Sequence, residues 1–213
     1  MKREETNREE QTEILDIICV ELMKHGLKAT TMDSVAAALK ISKRTLYEIF
    51  ESKEAMFRAA GDYFHNKLEK EYNKIFSNSP NVMVAILKCF ELNRNLMSKL
   101  SIEFIRDINE LSEKNSESNE VKRAKANMLM YNLLDKGKEE GYFRKDVNLM
   151  VQLRMFRIQM ESLKRMEELF PPDITLLEVF DNITIGFFRS ICSPKGLELL
   201  EKEIPLLNLS VTN

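Results

Sequence analysis

The chain has 213 residues, 44% of them apolar, with only 6 Gly and 5 Pro, so it can bury a sizeable core and is poor in residues that interrupt helices. A net charge of -2 argues against a protein that coats nucleic acid non-specifically; no window reaches the roughly 18 unbroken apolar residues of a membrane span, and the start MKREETNREEQTE lacks the apolar run of a secretory signal. An all-α cytoplasmic protein with no membrane partner is expected. Cys19, Cys89 and Cys192 lie far apart among apolar residues and read as buried, reduced thiols. Neither His25 nor His65 has a cysteine or second histidine at ligand spacing, and one Asp62-x-x-His65 pair is half of what a di-iron bundle needs, so no metal or cofactor is expected.

In chain order, the first helix is predicted from near Asn7 to His25, with Ile14, Ile17, Ile18, Leu22 and Met23 on one face and Gly26 as a left-handed cap. After the linker Leu27 to Thr30, Thr31 caps a second helix whose Val35, Ala36 and Leu39 point inward. Ser42 caps a third, in which Leu46, Ile49 and Phe50 project to one side at 3.6 residues per turn and Arg44 and Glu48 lie opposite. A fourth helix follows from Ser52-Lys53-Glu54 to about Phe76. Ser79-Pro80 opens a fifth toward Leu96, and a sixth spans about Ser101 to Leu111. The polar stretch Ser112 to Asn119, SEKNSESN, reads as a loop prone to disorder. Helices then run from about Glu120 to Glu140, stopped by Gly141; from Val147 to Leu169, broken by Pro171-Pro172; and from Ile174 to Ile191, before a short tail helix. No strand pattern or internal repeat is evident.

Charge is distributed unevenly. Residues 1–25 carry a net -3, whereas residues 40–58 carry a net +2 from Lys40, Lys43, Arg44, Lys53 and Arg58 against Glu48, Glu51 and Glu54. A helix enters the major groove with its N-terminal residues toward base edges, and Ser42, Lys43, Arg44 and Thr45 occupy that end of the third helix. Arg44 suits a bidentate contact with guanine, worth about 1 to 3 kcal/mol of discrimination. The bland alternative is a solvated face on which Arg44 and Glu48 pair at i,i+4 for about 0.2 to 0.5 kcal/mol.

The run from Thr31 through Val35-Ala36, Ile41-Ser42-Lys43-Arg44-Thr45-Leu46-Tyr47, Phe50 and Ser52-Lys53-Glu54 resembles the DNA-binding head of the TetR/AcrR family of transcriptional regulators, over about Ile14 to Phe57. The resemblance implies a two-domain, all-helical homodimer: a three-helix head with its helix-turn-helix at residues 1–51, and a larger ligand-binding and dimerisation domain at 52–213. It implies a repressor that leaves a double-stranded, palindromic operator when a small, partly apolar effector binds, and it implies no enzymatic activity. By position, Thr31, Tyr47 and Lys53 match phosphate-contacting residues, and Ser42, Lys43, Arg44 and Thr45 match the reading helix.

Three departures from the family pattern stand out. Leu39-Lys40 replaces a frequent Ala-Gly, so Lys40 is expected in a left-handed conformation at about 1 kcal/mol. Glu48 stands where a phosphate-friendly Tyr is frequent, and it can orient Arg44, accept from cytosine, or weaken affinity for the backbone. The acidic first helix supplies no basic arm.

In the later helices, Leu149, Leu153, Phe156, Met160 and Leu163 repeat at spacings of four and three, and Leu176, Phe180, Ile183 and Phe187 do the same, with Gly186 permitting close approach. The resemblance implies that these two seams form a dimer interface; the other reading is that they close the monomer's own core. The 12 Met residues and polar residues on apolar stripes suggest an effector site of Phe90, Asn93, Met97, Met128, Tyr131, Met155 and Gln159, although ordinary core and internal hydrogen bonds explain them too. From a different class, an all-α protein-interaction module would use the same helix pair against a protein.

Overall fold

A computed structural model describes residues 2–114 and 116–207, and helices dominate them; the single strand-like contact among these residues is an isolated antiparallel bridge between Phe143 and Cys192. The chain forms two compact units, residues 1–73 with 99–108 and residues 74–98 with 109–213. The first unit is therefore larger than a head ending at residue 51, since it holds most of the fourth helix and a later segment.

In the first unit, α1 (Lys2–Ala29), α2 (Met32–Leu39), α3 (Lys43–Ile49), α4 (Lys53–Asn78) and the beginning of α6 (Ile102–Lys114) surround one core. Ile18, Val35, Leu46 and Met56 are completely enclosed there, with Leu22, Met23, Met32 and Ala60 around them and Phe50, Phe57, Tyr63 and Phe104 packed on the outside. Gly26 is the expected break in α1, but its φ of 81° and ψ of 167° are not those of a left-handed cap, and the helix resumes to Ala29. Only glycine adopts that backbone readily.

The next two corners are built by short-range polar contacts. Thr31 is extended and accepts from Ser34 N at 3.1 Å, while the Ser34 hydroxyl accepts from Thr31 N at 2.9 Å, a reciprocal cap on α2. Lys40 adopts the expected left-handed conformation, φ 56° and ψ 35°, and Ser42 caps α3 by accepting from Thr45 N at 3.0 Å. The expectation for Ile49 needs correction. The helix ends there and Phe50 is extended, so Leu46 and Phe50 face the core while Ile49 stays 40% exposed.

The second unit contains α5 (Val82–Met97), α7 (Ser116–Glu139), α8 (Leu149–Glu161), α9 (Met166–Leu169), α10 (Leu176–Ile191) and α11 (Pro194–Glu203). The helix α10 packs against α8, α5 and α11, and α7 packs against α5 and α8. Three sequence expectations change. Asn81, not Ser79-Pro80, caps α5, accepting from Val84 N at 3.0 Å, while the Ser79 hydroxyl donates back to the Ile75 carbonyl at 2.7 Å. The polar stretch 112–119 is helical on both sides of Asn115, which lies outside the described residues: it contains neither Gly nor Pro, and its Glu and Lys favour helix. The long helix expected over 147–169 is interrupted by a 3-10 turn, Ser162–Arg165, before α9.

One local clasp organises the far end of this unit. The turn after α7 lies along the C-terminus of α10: Arg144 N donates to the Ile191 carbonyl at 2.8 Å, Ser193 N to the Tyr142 carbonyl at 2.9 Å, and the Ser193 hydroxyl to the Gly141 carbonyl at 2.7 Å. Phe143, 1% exposed, seats its ring on Gly137, where an added Cβ would lie 2.3 Å from the ring. No larger residue fits at 137 without displacing that ring.

Candidate nucleic-acid interface

The helix α3 is seven residues long and sits on the head by a single fully buried side chain, Leu46. Everything else on it from Lys43 to Ile49 is exposed, so Leu46 and the two corners fix its orientation while its polar face stays open. On that face the side chains are already paired. Lys43 Nζ lies 2.8 Å from the Asp33 carboxylate, whose hydrogen bond and charge push the lysine above its usual range. Arg44 Nε donates to Glu48 Oε1 at 3.1 Å. Ser42 Oγ and Thr45 Oγ1 are 2.8 Å apart. Tyr47 stands 47% exposed beside them.

This geometry narrows the readings of Glu48. It pairs with Nε, one edge of the guanidinium, and so stands where it can orient Arg44. Exposed ion pairs of this kind contribute little to stability, so DNA can displace them at little cost.

Thr31 is exposed at the start of α2, where its side chain already caps the helix. Lys53, at the first position of α4, donates to the Lys28 carbonyl at 3.4 Å and lies over the Phe57 ring at 5.1 Å. Every residue expected to touch DNA thus belongs to the first unit and is exposed, Lys53 being partly covered by its neighbours. The sequence reading missed two acids that govern this surface. Asp33 partners Lys43 from α2, and the buried Asp107 holds the backbone of Lys28 from α6, at 2.9 Å. Neither separation, 10 and 79 residues, is a helical repeat that sequence periodicity could reveal.

In the second unit the expected effector and dimer residues are redistributed. Phe90 and Phe180, read from sequence as serving different purposes, form one stacked pair with ring centroids 5.9 Å apart. Phe156 and Phe187 meet at 4.5 Å. Leu149, Leu163, Leu176, Phe180 and Phe187 are buried inside the unit, and Leu153, Phe156, Met160 and Ile183 are half-buried, so both apolar seams close the unit's own interior. As surfaces for a second copy the five buried residues are used up. The outward face of α8 carries Val151, Met155 and Ile158 instead, and Ile158 is 69% exposed. Gly186 opens on empty space and meets no neighbour within 4 Å.

Of the effector set, Met128, Met155 and Gln159 point to solvent, so they cannot line an enclosed site within the unit. Asn93 donates to the Cys89 carbonyl at 2.8 Å, the internal bond that competed with a ligand as its explanation. Met97 and Tyr131 are half-buried. Sequence reasoning missed the most polar point of this interior. Arg94 Nε donates to both carboxylate oxygens of Asp181 at 3.0 Å, both side chains are about nine-tenths buried, and burial pushes the Asp181 carboxyl up although Arg94 opposes this. One turn along α10, the enclosed Thr184 hydroxyl has no hydrogen-bond partner among the described residues.

A capped three-helix head that exposes a short, basic-ended second helix of a helix-turn-helix defines a DNA-reading protein. Residues 14–60 match the family model described as bacterial regulatory proteins, tetR family, which covers α1 beyond its first turns through the start of α4. Over those residues the chain is similar to the DNA-binding head of that family. It is 27% identical over 159 residues to the HTH-type transcriptional repressor KstR2 of Rhodococcus jostii (strain RHA1), an alignment covering 69% of this chain and 74% of the relative. In fold it is similar to the ketosteroid transcriptional regulator KstR2 of Mycobacterium tuberculosis, with a TM-score of 0.58, 22% identity and coverage of 85% of this chain and 94% of the other. It is likewise similar to a TetR-family regulator from Agrobacterium tumefaciens, with a TM-score of 0.66, 10% identity and coverage of 87% and 99%.

Proposed function

We propose that this chain is a repressor, not an enzyme, that binds a roughly palindromic operator as a homodimer and leaves it when a small, partly apolar ligand occupies its second unit. The observation that carries the DNA-reading part is α3: one buried anchor, Leu46, and an exposed face of Lys43, Arg44, Thr45 and Tyr47. Arg44 reads a base pair, Ser42 and Thr45 serve the helix end, and Thr31, Tyr47 and Lys53 take phosphates. The name of the Rhodococcus relative supports repression. The head is residues 1–51 carried on the rest of the first unit, Lys53 included, and ligand and dimer are served by the remainder of 52–213.

For the dimer we assign the outward face of α8, where Val151, Met155 and Ile158 follow at spacings of four and three on an apolar stripe open to solvent. For the ligand, Phe90, Met97 and Tyr131 remain the residues of interest, with Arg94, Asp181 and Thr184 as the polar end of the same interior. Footprinting of the DNA upstream of its own gene, at several salt concentrations, tests the reading: a protected, roughly two-fold-symmetric site with salt-dependent affinity is expected. Equal binding to all sequences at every salt concentration would refute it. In sedimentation, Ile158→Glu should convert a dimer to monomers, whereas an unchanged mass would move the interface elsewhere.

A further inference from the structure

Within the first unit, Asp107 is buried, with 6% of its surface exposed, far from any residue expected to touch DNA in the sequence. It lies on α6, and Oδ2 accepts the backbone N–H of Lys28 at 2.9 Å while Oδ1 lies 3.6 Å from the Lys28 ammonium. A carboxylate accepting a main-chain amide holds backbone, not only a side chain. The approach is close because residue 26 is glycine: a Cβ there would lie 2.8 Å from Asp107 Oδ2 and 3.1 Å from Glu103 Cβ. A second backbone bond, Ser101 N to the Met23 carbonyl at 2.9 Å, ties the same α6 segment to α1.

The held segment, Gly26 to Thr31, is the last turn of α1 after its kink and the junction with α2, and it leads into the DNA surface at Thr31. The Thr30 hydroxyl closes it by donating to the Gly26 carbonyl at 2.6 Å, and Thr31 follows directly. The carbonyl of Lys28, the same residue whose N–H Asp107 holds, accepts from Lys53 Nζ. Asp107 therefore fixes the backbone between two proposed phosphate contacts, Thr31 and Lys53, that are 22 residues apart in sequence.

We propose that Asp107 is a positioning residue for operator binding, a part of the reading head supplied by α6, which acts by holding the Gly26–Thr31 connector so that Thr31 and Lys53 meet phosphate. It does not touch DNA. The proposal rests on the phosphate roles assigned above to Thr31 and Lys53.

The test uses the full-length chain and measures the salt dependence of affinity on operator and non-operator duplexes. Asp107→Ala should weaken both duplexes alike, by roughly tenfold, keep their ratio, and make the logarithmic salt slope shallower by about one. Asp107→Asn, which retains an acceptor for the Lys28 amide, should restore most of the slope. Lys53→Ala should cost less in the Asp107→Ala background than in the native one, because the two act through one connector. A folded Asp107→Ala protein with the native slope, or full additivity with Lys53→Ala, overturns the proposal. Gly26→Ala attacks the same contact from the other side and should reproduce the shallower slope. If both variants fail to fold, the contact serves stability alone and the proposal fails. A native slope in Lys53→Ala itself removes the phosphate role and the coupling with it, whereas a shallower slope there beside a native slope in Asp107→Ala removes only the coupling.

Discussion

The two units spend polar groups in opposite ways. In the head, charged side chains pair at the surface, Lys43 with Asp33 and Arg44 with Glu48, over a core closed by apolar residues and the two caps Thr31 and Ser42. In the second unit, the main charge pair, Arg94 with Asp181, is inside, between α5 and α10, and one turn away the Thr184 hydroxyl has no partner among the described residues. Exposed pairs are interchangeable with water and with DNA phosphate, which suits a surface that must rearrange when it binds. A buried pair has no such substitute, so it commits the interior to one arrangement.

The largest expected effect tests that contrast directly. Arg94→Met leaves Asp181 buried without its partner and should destabilise the second unit by about 3 to 5 kcal/mol, while the double variant Arg94→Met with Asp181→Leu should recover most of the loss. Denaturant unfolding measures both; a single variant as stable as the native chain would place the pair in contact with solvent. Next are the thiols. Burial pushes Cys19, Cys89 and Cys192 each up to about 11, and for Cys19 the nearby Asp16 adds to the effect while Lys67 opposes it. At pH 8 the thiolate is scarce, so alkylation of the native chain should run roughly two orders of magnitude slower than after denaturation. Faster labelling of Cys19 than of the other two would show that the head opens more readily than the second unit.

Smaller effects belong to the DNA surface. Arg44→Ala should relax base preference at one operator position by about 1 to 3 kcal/mol, read from binding to single-base operator variants. Equal losses on every sequence would make Arg44 a phosphate contact. Glu48→Gln should shift affinity least, by about 0.5 kcal/mol, and strengthen binding to all duplexes by removing a negative charge near the polyanion. A loss of base preference instead would show that Glu48 orients Arg44.

The head was legible because its rules are local. Thr31 and Ser42 cap helices that begin at the next residue, Lys40 takes the left-handed corner that the Leu39-Lys40 turn requires, and Leu46 projects inward as 3.6-residue periodicity predicts. The exception, Ile49, fails where α3 ends and periodicity no longer applies. The second unit was legible only as helices. Its seams at Leu149 to Leu163 and Leu176 to Phe187 mark faces that are apolar, and periodicity cannot say whether such a face meets its own chain or a second copy. Composition misled at SEKNSESN, since polarity without Gly or Pro does not break a helix.

By itself the sequence determined the order of the helices, the corners of the helix-turn-helix and the exposed residues Lys43, Arg44, Thr45 and Tyr47, because caps, turns and helical projection depend on neighbours within about four positions. Only the tertiary structure decided that α6 lends Asp107 to the connector at Lys28, that Phe90 stacks on Phe180, that Arg94 meets Asp181, and that the turn at Gly141 to Arg144 is clasped to residues 191–193. These pairings span from about 50 to 90 residues and have no sequence period. They are set by which faces remain to be buried once the helices exist.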